Sequence, residues 1–501
     1  MLLLVCFTAV FGEMEEIMGK QNLTLLTDFY ELTMMQGYFK NKNNDTVIFD
    51  VFYRENPCGS GYAICAGLEQ VIDYVKALCF TEDDLAYLRT LKIFEEDFLS
   101  YLKELRFTGD IYAIPEGTVV FPMEPLVKVI APIMEAQLVE TALLNIINHQ
   151  SLIATKSSRV VYAAGGQPVM EFGLRRAQGP DAGTLGARAA VIGGCMGTSN
   201  VLSAKLYDLP ALGTHAHSWI MSFDDELTSF QKYAELYPHN TTLLVDTYDT
   251  LRSGVPNAIK VFQELRDKGK MPVKYGIRLD SGDLAYLSKK SRKMMDAAGF
   301  PEASITASSD LDEFLIDSLK TQGAKIDSWG VGTKLITSRD CPSFGGVYKL
   351  AAIHRNGQFI PKIKLSENQW KITNPGDKKI YRIYERESGK VKADLITLAD
   401  EVFTSDNPML LFDQLATWKK TYLEPNSYTL RELLIPIFLS GKCVYTSPSV
   451  MDIRDYCTKE QDSLWDEARR LINPHNIYVD LSVKLYRMKT DLLDSLTESI
   501  K

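Results

Sequence analysis

Two of the six histidines in this chain of 501 residues are separated by a single residue, in the segment ALGTHAHSW. If the segment is extended, the side chains of His215 and His217 point to the same face. Such a pair at the end of a strand can bind a metal ion, or one neutral imidazole can act as a nucleophile or a base. The other histidines stand in segments of different character, so a metal site here lacks further histidine ligands. The alternative is that both are structural polar residues.

A second polar cluster follows an apolar run in YGIRLDSGDL. Arg278 and Asp280 alternate at the end of an extended run, which predicts that both side chains point to one side. An arginine there suits an anion, and a carboxylate suits a sugar hydroxyl or Mg²⁺. Asp283 has two interpretations that the sequence leaves open: a ligand, or the N-cap of the helix that follows.

Further candidate anion sites come from arginines and from loops of small residues. Arg175 and Arg176 in FGLRRAQGPDAG offer paired N–H donors to a phosphate or a carboxylate, although a surface ion pair is the alternative. The loops in ITASSDLDEF and WGVGTKL are typical of phosphate cradles, because small residues let backbone N–H groups approach an anion. The candidate phosphate-binding residues are Ser308, Ser309, Gly330, Gly332 and Thr333.

These residues stand at the ends of apolar runs that recur between Pro168 and Ala352. The runs are PVMEFGLR, LPALGTHAH, TTLLVDTYD, VKYGIRLDSGD, ASITASSD, KIDSWGVGT and GVYKLAAI. Amphipathic segments between them, such as VPNAIKVFQELRDKG and AYLSKKSRKMMDAAG, end in glycine as helices commonly do. The alternation predicts an α/β fold built on an irregular TIM-like β/α barrel. Active sites of barrels lie at the carboxyl ends of the strands, which is where the polar residues fall.

The segments that flank the barrel differ from it. We predict an N-terminal α/β domain at 23–150, a catalytic barrel at 151–353, and a C-terminal region at 354–501 that completes the α/β domain and closes with a helix. The C-terminal region opens with a basic stretch whose lysines either reach nucleotide phosphates or form a solvated face. These lysines are Lys364, Lys371, Lys378 and Lys379, and for the last two we favour the solvated face.

Composition restricts the function classes. The net charge of −9 argues against a general nucleic-acid binder. Eight cysteines without any C-x-x-C pair favour reduced thiols in the cytoplasm, and no apolar stretch is long enough to span a membrane. The apolar start MLLLVCFTAVFG lacks a basic region and a small-x-small cleavage site, which argues against a signal peptide. We expect residues 1–22 to be an extension that is not native, with Met14 or Met18 as the working start.

Taken together, the motifs resemble those of the nicotinate phosphoribosyltransferase family from about Leu23 into the C-terminal region. The matching segments are LLTDFYELTMMQGYF, EFGLRRAQGPDAG, GTSNVLSA, GTHAHSWIMSF, VDTYDTLRSGVPNAI, YGIRLDSGDLAYLSK, WGVGTKLITS and KLSENQWKITNPGDKKIYR. The resemblance implies a type II phosphoribosyltransferase fold in a homodimer with shared active sites. It implies transfer from 5-phosphoribosyl-1-pyrophosphate (PRPP) to nicotinate, the first step of NAD salvage from nicotinate, with Mg²⁺ as cofactor and ATP as co-substrate.

The resemblance also assigns roles to residues. It implies that His217 is phosphorylated by ATP, whereas His215 fills a variable position of the motif and inherits no role. Asp280 is implied to hold ribose hydroxyls and Mg²⁺, and Thr333 a phosphate of PRPP. The implied nicotinate contacts are Tyr30, Phe172, Arg175, Thr214 and Arg278, with Tyr30 contributed by the partner subunit.

Three alternatives remain open at this point. A related phosphoribosyltransferase could act on nicotinamide or quinolinate. A metal-dependent amidohydrolase could use His215 and His217, which tight stoichiometric Zn²⁺ would indicate. A catalytically inactive barrel could serve as a binding module, although four residues argue against it by being present: Arg278, Asp280, His217 and Thr333.

Overall fold

The computed structural model describes residues 22–368, 371–414, 416 and 418–500. The N-terminal extension expected at 1–22 lies outside the described residues except for Asn22, and so do Met14 and Met18.

The helices and strands are numbered here in chain order. The helices are α1 (Phe29–Lys40), α2 (Leu68–Ala77), α3 (Glu82–Thr90), α4 (Glu96–Glu104), α5 (Ile133–Leu138), α6 (Glu140–Ala164), α7 (Pro180–Ile192), α8 (Val201–Tyr207), α9 (His217–Met221), α10 (Glu226–Leu236), α11 (Val255–Asp267), α12 (Leu284–Ala297), α13 (Glu313–Thr321), α14 (Thr333–Ile336), α15 (Val450–Asp462), α16 (Asp466–Arg469) and α17 (Val483–Ile500). The strands are β1 (Thr46–Tyr53), β2 (Ala63–Ile64), β3 (Asp110–Ala113), β4 (Val119–Val120), β5 (Val127–Pro132), β6 (Val169–Glu171), β7 (Gly197–Thr198), β8 (Asn240–Leu244), β9 (Lys274–Leu279), β10 (Ser304–Ser309), β11 (Ser328–Val331), β12 (Gly346–Arg355), β13 (Gln358–Pro361), β14 (Lys378–Glu385), β15 (Val391–Leu398), β16 (Met409–Asp413), β17 (Lys420–Leu423), β18 (Tyr428–Glu432), β19 (Ile435–Leu439), β20 (Lys442–Cys443) and β21 (Tyr478–Leu481).

Six parallel strands form the barrel sheet, in the order β7-β6-β11-β10-β9-β8. The strands are short, and Trp329 on β11 is completely buried among them. The predicted helices α11 and α12 follow β8 and β9, and each is terminated by a glycine with positive φ, Gly269 and Gly299. The irregular barrel is therefore confirmed. It is open along one seam, because β7 and β8 are the two edges of the sheet.

Two of the apolar runs are not barrel strands as predicted. In LPALGTHAH, Ala211 alone pairs, in a parallel bridge to Thr198, and the sheet takes the short β7 instead. Pro210 has no N–H to donate to a ladder, which limits pairing there. The last run, GVYKLAAI, forms β12, which pairs antiparallel to β1 and so belongs to a different sheet.

That second sheet has seven strands in the order β13-β12-β1-β5-β3-β19-β20. It combines strands from the two ends of the chain, because β19 pairs antiparallel with β3. The predicted N-terminal helix is α1, and helices α2 to α5 cover the same apolar core. The 25-residue α6 leaves this core and packs on the barrel helix α7, so it joins the two units.

The third sheet, in the order β17-β16-β21-β15-β14-β18, carries a buried ion cluster. Arg382 is fully buried and pairs with Asp394 at 2.6 Å and Glu460 at 3.0 Å, which satisfies its charge. The predicted closing helix is α17. None of the described helices combines the length and the apolar character that crossing a bilayer requires.

The solvated face expected for Lys378 is wrong. Its side chain is 3% exposed, and its ammonium lies 2.8 Å from Asp50 on β1 and donates to the carbonyl of Gly376. Lys379, next along the strand, is half-buried, whereas Lys364 and Lys371 are exposed. Lys378 therefore joins two sheets and is not available to a nucleotide.

Candidate active site

The guanidinium of Arg278 is the centre of the polar cluster at the carboxyl ends of the barrel strands. It projects from the end of β9, 15% exposed, and makes three hydrogen bonds. Nε donates to Ser308 Oγ at 2.7 Å, Nη1 to Thr214 Oγ1 at 2.9 Å, and Nη2 to Asp280 Oδ1 at 2.7 Å. These bonds fix the plane of the guanidinium, and the predicted proximity of Arg278 and Asp280 is confirmed.

An aromatic ring lies beside this cation. Phe172 follows β6, is half-buried, and its ring centroid is 5.8 Å from Cζ of Arg278. The ring fits there because its neighbour on β11 is Gly330, where a Cβ would come within 2.7 Å of the ring. A flat surface next to a fixed positive charge suits an aromatic anion.

Asp280 remains ionised despite its partial burial. Burial acts to raise the pKa of this carboxyl, but the hydrogen bond from Ser308 and the charge of Arg278 outweigh it, so the pKa lies below its usual value. The backbone N–H of Asp280 and the hydroxyl of Ser281 both donate to Asp246 Oδ2, at 2.9 and 2.7 Å. Asp246 therefore fixes the loop that presents Asp280.

His217 opens the short helix α9 at the same mouth. Its side chain is 40% exposed, Nδ1 lies 3.0 Å from Thr247 Oγ1, and Nε2 lies 3.9 Å from Asp280 Oδ2. An exposed imidazole held at one nitrogen has its other nitrogen available to a substrate.

His215 and His217 do not share a face, contrary to the prediction. His215 is 7% exposed and packs on Tyr233, with ring centroids 4.5 Å apart, and its Nε2 accepts the N–H of Leu244 at 3.1 Å. Burial lowers the pKa of His215 to about 4. Because Nε2 is engaged and Nδ1 is buried, the two histidines do not form the metal pair of an amidohydrolase. Among the described residues, no cluster of three or more His, Cys, Asp or Glu side chains is arranged to hold a metal.

The predicted phosphate-binding residues lie at neighbouring strand ends. Ser308 is buried and engaged with Arg278 and Asp280, and Ser309 has a φ of +146°, an unusual backbone conformation for a residue with a side chain. Gly332 and Thr333 lie at the start of α14, and Gly332 lies next to the carbonyl of Phe172. Contact of the predicted residues with phosphate stays a prediction. In the described residues, Ser308 accepts a hydrogen bond from Arg278 Nε and so helps to fix the guanidinium.

Three further candidates lie around the barrel mouth, namely Arg175, Arg176 and Asp283. The two arginines are exposed in the helical turn Leu174–Arg176. Asp283 accepts the N–H of Tyr286 at 2.9 Å and caps α12, so of its two interpretations the structural one is correct.

Tyr30 is on α1, on the N-terminal domain, and 46% of it is exposed. Burial and then the charges of Glu140 and Glu31 raise the pKa of its phenol above the usual value. Its structural neighbours are thus acidic residues of its own domain, and the ring remains accessible.

Sequence reasoning did not assign roles to Asp246 and Thr247. Both belong to VDTYDT, directly after β8, and position Asp280 and His217 respectively. The signal was present, since polar residues at a barrel strand end are site candidates. Their partners follow other strands or lie in other loops, which the local sequence does not reveal.

Comparison with known proteins gives consistent matches along the chain. Three family models match: the nicotinate phosphoribosyltransferase (NAPRTase) N-terminal domain at 25–148, the NAPRTase family at 168–369, and the NAPRTase C-terminal domain at 377–489. A nicotinate phosphoribosyltransferase of Bacillus subtilis (strain 168) is 45% identical over 481 residues, which cover 96% of this chain and 97% of that protein.

Two further matches agree. Nicotinate phosphoribosyltransferase pncB2 of Mycobacterium tuberculosis (strain ATCC 25618 / H37Rv) is 41% identical over 448 residues, 89% of each chain. The crystal structure of human nicotinic acid phosphoribosyltransferase superimposes with a TM-score of 0.81 at 28% identity, covering 93% of this chain and 99% of that one.

Proposed function

The chain belongs to the nicotinate phosphoribosyltransferase family, and from this premise we propose that it transfers the phosphoribosyl group of PRPP to the ring nitrogen of nicotinate. The fold is that of a type II phosphoribosyltransferase, as predicted. The observation that carries the proposal is Arg278, a fixed cation beside the Phe172 ring at the barrel mouth.

Nicotinate has a carboxylate to anchor and a flat ring to support. A guanidinium has five N–H donors, and three of those on Arg278 are used by its partners in the described residues. The remaining donors suit the carboxylate, while Phe172 covers one face of the ring. Binding in this way directs the ring nitrogen towards the ribose of PRPP and makes the reaction effectively unimolecular.

The Asp280 carboxylate supplies a negative charge beside the reacting sugar. The bond from the ribose C1 to the pyrophosphate oxygen breaks with both electrons leaving on pyrophosphate, and positive charge develops on the sugar as the nicotinate nitrogen bonds to C1. An ionised Asp280 stabilises this cationic sugar electrostatically. Gly332 and Thr333 are the candidates for the phosphates of PRPP.

A divalent cation fits beside Asp280. Oδ1 of Asp246 is buried without a hydrogen-bond partner among the described residues, and Asp246 contacts the backbone of Asp280 directly. Carboxylate oxygens are the ligands that Mg²⁺ prefers, so Asp246 and Asp280 are the residues that would hold it. Bound Mg²⁺ supplies neutralisation of the pyrophosphate leaving group.

The ATP-dependent step belongs to His217. With the Nδ1 proton donated to Thr247, Nε2 carries a lone pair at the exposed edge of the ring. Nε2 attacks the γ-phosphorus of ATP, an N–P bond forms, and the bond from γ-phosphorus to the β,γ-bridging oxygen breaks to release ADP. Hydrolysis of the phosphohistidine returns the imidazole and phosphate.

The free thiols of all seven cysteines in the described residues are consistent with a cytoplasmic enzyme.

The substrate is tested in one set of assays. Purified protein with PRPP, Mg²⁺ and labelled nicotinate is expected to yield nicotinate mononucleotide and pyrophosphate, and more product per PRPP when ATP is added. Nicotinamide is expected to react with a kcat/KM lower by about 10²-fold or more, because a neutral amide leaves the Arg278 charge unpaired. Quinolinate is assayed in parallel. Product from nicotinamide or quinolinate and none from nicotinate would contradict the assignment.

The proposal includes a homodimer in which Tyr30 reaches the partner's barrel mouth and covers the other face of nicotinate. Exposure of the Tyr30 ring supports this. Glu140, which neighbours Tyr30, also interacts electrostatically with Lys349.

Mixing two inactive variants tests the shared site. Tyr30→Ala and His217→Ala are each expected to lose ATP-coupled transfer, and subunit exchange between them should restore it. A mixed dimer has one doubly altered site and one intact site, so the heterodimer is expected to show about half of the wild-type activity, and the unfractionated statistical mixture about a quarter. Recovery is measured after heterodimers have been isolated by two affinity tags. Isolated heterodimers that stay inactive would place Tyr30 in its own chain's structure instead.

A further inference from the structure

Within the part of the chain that the structure describes, the barrel sheet leaves one edge of β8 without a neighbouring strand. β8 and β7 are the two ends of the strand order, and the chain that follows β7 returns along the seam between them from Ala211 to His215. Ala211 pairs with Thr198 on the β7 side, so this segment is attached to one edge and faces the other.

A side chain, not a strand, contacts the open edge of β8. Val245 donates its N–H to the carbonyl of Arg278 on β9, and N–H groups alternate in direction along a strand, so the N–H of Leu244 points the other way, into the seam. His215 Nε2 accepts that N–H at 3.1 Å. The imidazole is buried against Tyr233 and Phe230, which excludes water from this hydrogen bond.

The neighbours of His215 on both sides belong to the active site. Thr214 accepts a hydrogen bond from Arg278, and His217 contacts Thr247, three residues beyond Leu244. Both contacts require that residues 214–217 keep a fixed position, along the direction of the strands, relative to the carboxyl ends of β8 and β9. Between these two contacts, the hydrogen bond of His215 with the Leu244 N–H ties the segment directly to the backbone of β8.

We propose that His215 is a positioning residue, which closes the barrel seam through the Leu244 N–H and thereby sets the places of Thr214 and His217. The inference rests on the proposed function for the roles of those two neighbours. It explains why two histidines stand together: one holds the segment and the other reacts. A neutral imidazole is required, because a protonated Nε2 cannot accept the N–H. The low pKa of His215, about 4, keeps it neutral around pH 7.

The test compares side chains that differ in whether they can accept a hydrogen bond from the N–H of Leu244. His215→Gln retains an acceptor at the reach of Nε2, His215→Leu retains bulk without an acceptor, and His239→Leu, at an exposed histidine before β8, is the matched control. Hydrogen–deuterium exchange with single-amide resolution follows the N–H of Leu244. Exchange is expected to be faster by at least about tenfold in His215→Leu and to stay near wild type in the other two.

The kinetic readout separates positioning from folding. His215→Leu is expected to lower the rate of protein labelling by γ-labelled ATP, and kcat of transfer, by about tenfold, with KM for PRPP within about twofold. His215→Gln should remain within about threefold of wild type. If His215→Leu does not fold by circular dichroism, His215→Asn, which is polar but too short, takes its place with the same expected loss.

Outcomes for the inference and for the proposed function are distinguishable. Unchanged exchange at Leu244 in His215→Leu, or an unchanged labelling rate with faster exchange, overturns the positioning role. If wild-type protein is not labelled at all, the phosphohistidine fails, and the inference is then decided by the exchange of Leu244 together with kcat of ATP-independent transfer. Slower transfer and faster exchange in His215→Leu, both restored in His215→Gln, support it.

Discussion

Replacement of Asp280 with asparagine is expected to lower kcat/KM for nicotinate mononucleotide synthesis by about 10³-fold or more. The amide removes the negative charge that faces the cationic sugar. It also disturbs the cluster itself, because Asp280 Oδ1 accepts both from Arg278 and from Ser308. The measurement is steady-state synthesis from nicotinate and PRPP with saturating Mg²⁺, with and without ATP.

A matched control lies three residues away. Asp283→Asn makes the same chemical change at the N-cap of α12, and asparagine caps a helix about as well as aspartate. It is expected to leave kcat/KM within about twofold and thermal stability nearly unchanged. If Asp280→Asn retains activity within tenfold of wild type, or if both variants lose activity alike, the carboxylate of Asp280 does not have the role proposed here.

The meeting of Arg278, Asp280 and Ser308 could be predicted from the sequence for a simple reason. Each stands at or just after the end of a continuous apolar run, and parallel strands bring their carboxyl ends to one edge of a sheet. The alternation of Arg278 and Asp280 also predicted their common direction, which the 2.7 Å contact bears out. Such local patterns suffice where the backbone is regular.

The predictions that failed depend on partners distant in the sequence. The period of an extended strand predicts that His215 and His217 share a face, but α9 begins at His217, and the His215 side chain points inward to the N–H of Leu244. The basic stretch around Lys378 predicts a solvated side chain, yet Asp50 from another sheet neutralises it in the interior. Charge density along a sequence does not reveal a partner that only the tertiary fold supplies.

The proposed role of Tyr30 could not be predicted from the residues around it. The exposure of Tyr30 is a property of one subunit, and its contact with nicotinate requires a second one. The resemblance to a family could supply that expectation, whereas the residues around Tyr30 in α1 could not, since a tyrosine on an amphipathic helix usually packs in a core.

Replacement of His217 with alanine is expected to abolish labelling of the protein by γ-labelled ATP and to abolish ATP hydrolysis. The neighbouring imidazole of His215 does not replace it, because it is buried and its Nε2 accepts the N–H of Leu244. Transfer without ATP should persist at a low rate, since the nicotinate site around Arg278 does not include His217. The wild-type label should be lost in acid and retained in base, as an N-linked phosphate requires.

Thr247 allows the tautomer to be tested separately from the nucleophile. Thr247→Val keeps the shape but removes the hydroxyl that lies 3.0 Å from Nδ1 of His217, so the imidazole is no longer held with its lone pair on Nε2. Labelling is expected to slow by about tenfold, in proportion to a lost hydrogen bond of about 1.4 kcal/mol, and Thr247→Ser should restore it. Undiminished labelling in His217→Ala would show that ATP phosphorylates a residue other than His217. Equal labelling rates in Thr247→Val and Thr247→Ser would instead show that the hydroxyl does not orient the ring, because only the serine variant retains a hydroxyl at that position.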